Sequence, residues 1–132
     1  MDDSIKLCSI LTDEGIDFIH LSCWNAFKGS ISYRNNSKTL TEWFATSLNN
    51  PPSIISTGKV WSSKDAQHLL NQGADLIGVG RAAIGHPDWA SQVKNPNYDP
   101  AKPPYSVTEL REAMLSDVFI DYMRNWEGFV CD

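Results

Sequence analysis

No basic run or stripe crosses this sequence, and its charge leans the other way. Eleven lysines and arginines stand against sixteen aspartates and glutamates, a formal charge of −5. The electrostatic footprint of a nucleic-acid binder is therefore missing. No apolar run approaches the length that spans a bilayer, which argues against a transmembrane segment. The start, MDDSIK, is acidic and lacks the basic leader region of a secretory signal. Cysteine is scarce. Cys8, Cys23 and Cys131 are odd in number, far apart, and spaced neither as metal ligands nor as a redox pair. They suit a reducing compartment, so a cytoplasmic protein is expected. His20, His68 and His86 have no neighbours that would complete a triad or a metal constellation. No catalytic residue and no metal ligand is assigned.

What the sequence does have is concentrated between Ser53 and Pro87. Ser53–Thr57 and Asp75–Val79 are short apolar runs of strand length, each followed or closed by glycine, Gly58 and Gly80. Between them Ala66, Leu69 and Leu70 recur at helical spacing, and Gly73 is placed to stop that helix. About twenty residues from one strand to the next is what a βαβ crossover needs, and a crossover makes the strands parallel. Two parallel neighbours ending in glycine bring bare backbone N–H groups to one sheet edge. Arg81-Ala82-Ala83-Ile84 then opens a short helix, whose N-terminus adds further donors. Such an edge suits a phosphate, and (β/α)8 barrels commonly bind one after their last two strands.

The stretch STGKVWSSKDAQHLLNQGADLIGVGRAAIGHPDWA resembles the last two β/α units of the old yellow enzyme family, the FMN-dependent NAD(P)H oxidoreductases or ene-reductases. The turn Thr57-Gly58-Lys59, the strand Gly-Ala-Asp-Leu-Ile-Gly-Val-Gly-Arg and the following His86-Pro87-Asp88-Trp89 carry the likeness. The resemblance implies that Gly58, Lys59, Gly80 and Arg81 hold the phosphate of FMN, with NADH or NADPH as reductant. It implies an α/β fold: the C-terminal part of a (β/α)8 TIM barrel, about three parallel strands with helices, and a C-terminal helical tail. The substrate would be an activated alkene or similar acceptor. The family's substrate-binding and proton-donor residues come from earlier strands and have no counterpart here, so the chain alone is expected to be inactive. Two alternatives stay open: part of another phosphate-binding barrel enzyme, a lyase or isomerase, or a non-catalytic half-barrel assembly piece.

The chain has 132 residues, about half the ~250 of a complete barrel. Three domain segments are expected: a partial barrel over 1–94, a proline-rich linker over 95–107 and a helical extension over 108–132. Before the phosphate region, Ile5, Leu7, Ile10 and Leu11 form a helical face ending before Gly15, and Ile16–Ser22 reads as a strand. The resemblance puts Ser22, and with it Trp24, on the substrate side. Residues 23–38 read as a long loop, and a helix from about Thr41 ends at Pro51. Ser62 or Ser63 is expected to cap the next helix, and residues 88–94 to form a closing one. Beyond the linker, Thr108 is expected to cap a helix with Leu110, Ala113 and Met114 on its apolar side. Three open parallel strands leave edges and apolar faces uncovered, which predicts pairing with the missing N-terminal half of a barrel or with a second copy.

Overall fold

The computed structural model describes all 132 residues. The chain runs α1 (Asp2–Asp13), β1 (Phe18–Ser22), α2 (Leu40–Ser47), β2 (Ser53–Thr57), α3 (Ser63–Asn71), β3 (Leu76–Gly78), α4 (Arg81–Gly85), α5 (Trp89–Gln92), β4 (Tyr105–Ser106), α6 (Val107–Glu112), α7 (Asp117–Met123) and β5 (Val130–Cys131). It divides into two compact units, one of residues 1–60 and 65–78, the other of residues 61–64 and 79–132.

The first unit is a three-stranded parallel sheet, order β1-β2-β3. Phe18 to Ser22 pair with Ser53 to Thr57, and Ile55 to Thr57 pair with Leu76 to Gly78. The parallel α/β arrangement matches the sequence reading. Asp75, expected at the start of the third strand, lies just outside it. Its carboxylate accepts the Ile54 N–H at 2.8 Å while its own N–H donates to the Ile54 carbonyl at 2.8 Å. One face of the sheet is covered. Ile19, Leu21 and Ile54 pack with Phe44 and Leu48, and Met1, Ile5 and Cys8 of the α1 side lie against them. The expected face of α1 is corrected: Leu7, Ile10 and Leu11 are exposed, because only the stripe through Ile5 and Cys8 meets the sheet. Leu70 on α3 is likewise exposed, while Ala66 and Leu69 are buried.

Helix ends follow local chemistry. Gly15 and Gly73, at φ +84° and +101°, occupy the left-handed position after α1 and α3. In each case the next N–H reaches back five residues, Ile16 to the Leu11 carbonyl and Ala74 to the Leu69 carbonyl. α2 opens in a reciprocal capping box between Thr39 and Glu42. Between α2 and β2, the fully buried Thr41 and Ser56 hydroxyls bond each other at 2.8 Å.

The second unit has its own core of Tyr105, Leu110, Ile120, Met123 and Phe129, with Trp61 and Ile84 against it. β4 and β5 pair in parallel, an arrangement the sequence reading did not anticipate. The cap of α6 is Ser106, in a capping box with Glu109, rather than Thr108, which lies inside the helix. Met114 is not on an apolar face. It is 88% exposed and takes the left-handed position at φ +66° that ends α6, so its side chain leaves the helix surface. The hydroxyl of Ser63 does not cap α3, since it donates toward the carbonyls of Asn95 at 2.6 Å and Val93 at 2.9 Å. The proline-rich segment is tied down: the Tyr98 carbonyl accepts the Ser63 N–H, and the Ala101 carbonyl accepts the Tyr105 hydroxyl.

This packing can be probed in each unit. Thr41→Val leaves the Ser56 hydroxyl buried without a partner and should destabilise the first unit by about 1–3 kcal/mol in denaturant melts. Adding Ser56→Ala should recover part of that loss, and strictly additive effects would show that the two hydroxyls are not coupled. In the second unit, burial above all, then the Glu109 carboxylate and Tyr98, push the Tyr105 phenol up to about 12. An unfolded tyrosine ionises near 10, so the neutral phenol favours the folded state. The contribution is complete below about pH 10 and is lost as pH rises toward 12, by about 1–3 kcal/mol. Melts between pH 9 and 12 should show this fall, and Tyr105→Phe should flatten it.

Candidate functional site

β2 and β3 lie side by side in parallel, so their carboxyl ends face the same way. Beyond β2, Gly58 is buried at φ +146° and Lys59 takes a left-handed φ of +57° with its side chain exposed. Gly58 has a structural reason to be glycine: an added Cβ would run into the Cys23 carbonyl and come within 2.9 Å of the Ala26 nitrogen. The same contact anchors the loop after β1. The Cys23 N–H donates to the Thr57 carbonyl at 2.9 Å and the Ala26 N–H to the Gly58 carbonyl at 3.2 Å.

Gly80 and Arg81 belong to the second unit. Gly80 stands at the N-cap of the five-residue α4 with φ −114°, outside the left-handed region. A Cβ built on it meets nothing within 4 Å. The space where a side chain would stand is open, and the N-cap position itself favours glycine over alanine. Arg81 is exposed, with its guanidinium 6.0 Å from the centre of the Trp61 ring. Gly80 and Arg81 thus stand together at the exposed start of α4.

On the uncovered face of the sheet Phe18, His20, Ile55, Thr57 and Leu76 lie together, with Phe18 and Leu76 more than half exposed at 55% and 54%. His20 is exposed and its Nε2 lies 2.8 Å from the Thr57 hydroxyl. Gly78 makes room for that hydroxyl, since a Cβ at Gly78 would overlap Thr57 Oγ1. The sequence reading missed this line across three strands. The alternation of β1 and β2 puts both residues on one face, yet nothing in a linear pattern says that the third strand must be bare opposite Thr57. His86 Nε2 lies 2.8 Å from the Ala101 carbonyl, and no group of three acidic, histidine or cysteine side chains is placed to hold a metal ion.

Ser22 and Trp24, which the family resemblance put on the substrate side, line a common cavity of about 590 Å³ within the first unit. Leu21 and Phe44 also line it, with Asn25, Lys28 and Ile31. Cys23 borders it too, and burial pushes its thiol up, away from the thiolate form a nucleophile needs.

The chain is similar to segments of oxidoreductases whose names carry NADH. It is 33% identical over 96 residues to the NADH:fumarate oxidoreductase of Klebsiella pneumoniae, a match covering 70% of this chain and 10% of that protein. It is 29% identical over 98 residues to the NADH:acrylate oxidoreductase of Vibrio harveyi, covering 71% and 10%. With "Probable NADH-dependent flavin oxidoreductase YqiG" of Bacillus subtilis it shares 23% over 94 residues, covering 71% and 25%. The chain thus spans a tenth to a quarter of the length of these curated relatives. No protein-family model matches it. No helix is long and apolar enough to cross a membrane.

The two glycines separate experimentally. Gly58→Ala should cost about 2 kcal/mol or more, through collision with backbone at a φ that alanine resists. Gly80→Ala should cost about 1 kcal/mol or less, because its methyl enters open space and only the N-cap preference for glycine over alanine is lost. Equal melting shifts for the two variants would contradict this division.

Proposed function

We propose that the chain is the C-terminal part of the barrel of an FMN-dependent NAD(P)H oxidoreductase, contributing the grip on the flavin phosphate. The observation that carries the reading is the parallel pairing of β2 with β3, each strand followed by a glycine turn, in a segment similar to an NADH:fumarate oxidoreductase and to a probable NADH-dependent flavin oxidoreductase. Gly58 and Lys59 would offer backbone N–H groups after β2. Gly80 would let the phosphate approach the backbone after β3, and Arg81 would add a charged, planar donor.

The flavin, when bound, supplies hydride acceptance and transfer, which no side chain here can perform. This chain's part is to bind and orient. Ser22 and Trp24 stand on the substrate side, and the His20–Thr57 pair fixes the polarity of the sheet face beneath. NADH is the favoured reductant because the names of all three relatives carry it. The names of two of them, an oxidoreductase of fumarate and one of acrylate, support an activated alkene as acceptor. The bare sheet face with Phe18 and Leu76, and the edges of β1 and β3 that pair on one side only, favour completion by the preceding strands of a barrel. The chain alone would then be inactive.

Titration of the chain with FMN and with riboflavin, followed by flavin fluorescence, tests the reading. FMN should bind at least about tenfold more tightly than riboflavin, since a charged phosphate contact is the difference. Gly80→Ala and Arg81→Ala should each remove most of that preference while riboflavin binding holds. Riboflavin binding as tightly as FMN, both to the chain and to the chain joined by the upstream part of a relative's barrel, would defeat the phosphate grip.

A further inference from the structure

The cavity after β1 has a chemical bias that the flavin reading does not explain. Its walls are Leu21, Phe44, Trp24 and Ile31, the last two standing at 79% and 87% exposure. Serines, His20 and Asn25 supply its uncharged polar groups, and Lys28 is the lysine or arginine among its lining residues. The chain carries sixteen acidic residues, yet none lines this cavity, whereas Lys28 does. The Lys28 ammonium belongs to no ion pair, the salt bridges of the chain being confined to Arg111 and Arg124. Asn25 adds a donor. Its carbonyl oxygen accepts the Phe27 N–H at 3.0 Å, which leaves the amide NH2 as the side chain's donor. A cation and an amide donor beside an apolar wall, with no carboxylate to neutralise them, complement an amphiphilic anion.

We propose that this cavity binds an organic carboxylate with an aromatic or branched hydrocarbon body. The carboxylate sits on Lys28 Nζ and the Asn25 amide, and the body lies against Trp24, Ile31 and Phe44. The volume of about 590 Å³ falls in the ordinary range for small-molecule sites. The assignment takes from the proposed function only the placing of Ser22 and Trp24 on the substrate side. Recognition of the carboxylate itself involves no flavin.

The test is an amide and side-chain NMR titration of the full chain with 2-naphthoate, without flavin, beside its neutral analogue 2-naphthylmethanol. Naphthoate should saturate at about millimolar concentration, the affinity that a ligand of its size reaches at ordinary efficiency. The shifts should centre on the Trp24 indole and the Asn25 side-chain amide. The alcohol should bind about fivefold or more weakly, and raising the salt should weaken only the acid. Lys28→Gln, at an exposed position that folding does not depend on, should lower naphthoate affinity about fivefold and leave the alcohol unchanged. Ile31→Asp, at a position 87% exposed, should abolish naphthoate binding by setting a carboxylate at the rim. Equal affinity for acid and alcohol, an unchanged Lys28→Gln variant, or no saturation up to about 10 mM would each overturn the proposal. Failure of the FMN titration would leave this result standing, and the reverse also holds, so the two readings fail separately.

Discussion

β2 is the strand on which the first unit depends, because it alone pairs on both edges. Five register pairs join it to β1 and three to β3. Its Ile54 is 1% exposed and its Ser56 fully buried, so the strand also carries the centre of the core and the polar contact to α2. Its carboxyl end fixes the neighbouring loop. The Thr57 carbonyl receives the Cys23 N–H, and the Gly58 carbonyl receives that of Ala26, so the loop after β1 is hung from the end of β2. The cavity lined by that loop inherits its shape from this pair of bonds. A parallel strand has no hairpin to fix its partner, and the crossover helices must do so. The buried stripes of α2 and α3 are therefore conditions for the register rather than decoration on it.

The uncovered face of the sheet sets the second constraint. Parallel sheets ordinarily have both faces buried. Here Ile19, Leu21 and Ile54 face a helical layer while Phe18 and Leu76 face away from it, each more than half exposed at 55% and 54%. The residues on that second face are not those of a solvated surface, where alternation would put charge. They include two large apolar side chains and a histidine–threonine pair joined at 2.8 Å. Such a mixture suits a layer that other strands cover, with its polar groups already paired to each other before burial.

How much of this was legible depended on how local its cause was. Ser53–Thr57 could be read to the residue, since an apolar run between prolines and glycine leaves little choice. Gly15 and Gly73 announced helix ends, because glycine is the residue the left-handed position favours. Met114 sits in the same position without any such signal, and the end of α6 was missed for that reason. Ser106 and Thr108 both have capping hydroxyls, and only the reach of Glu109 back to Ser106 decides between them. The parallel pairing of β4 with β5 joins two-residue strands more than twenty positions apart, too short for periodicity to register. For the site, the glycines and the arginine stood out as a pattern. Lys28 and Asn25 did not, because their meaning comes from the acids that are absent around them in space.

Gly58 and Gly80 look equivalent in the sequence, each closing the end of a strand, and the structure gives them different causes. Gly58 is buried under the Cys23 carbonyl at a φ of +146°, so backbone packing accounts for it whether or not a ligand ever binds. Its presence says that the loop after β1 must come close to the end of β2, and nothing more. Gly80 is exposed, has an ordinary negative φ, and has open space where a Cβ would stand. Gly80 also stands at the N-cap of α4, a position where glycine is favoured over alanine, so the local fold supplies one reason for glycine there. Of the two glycines, Gly80 is therefore the one with open space beside its backbone, and Gly58 the one whose surroundings the chain itself fills.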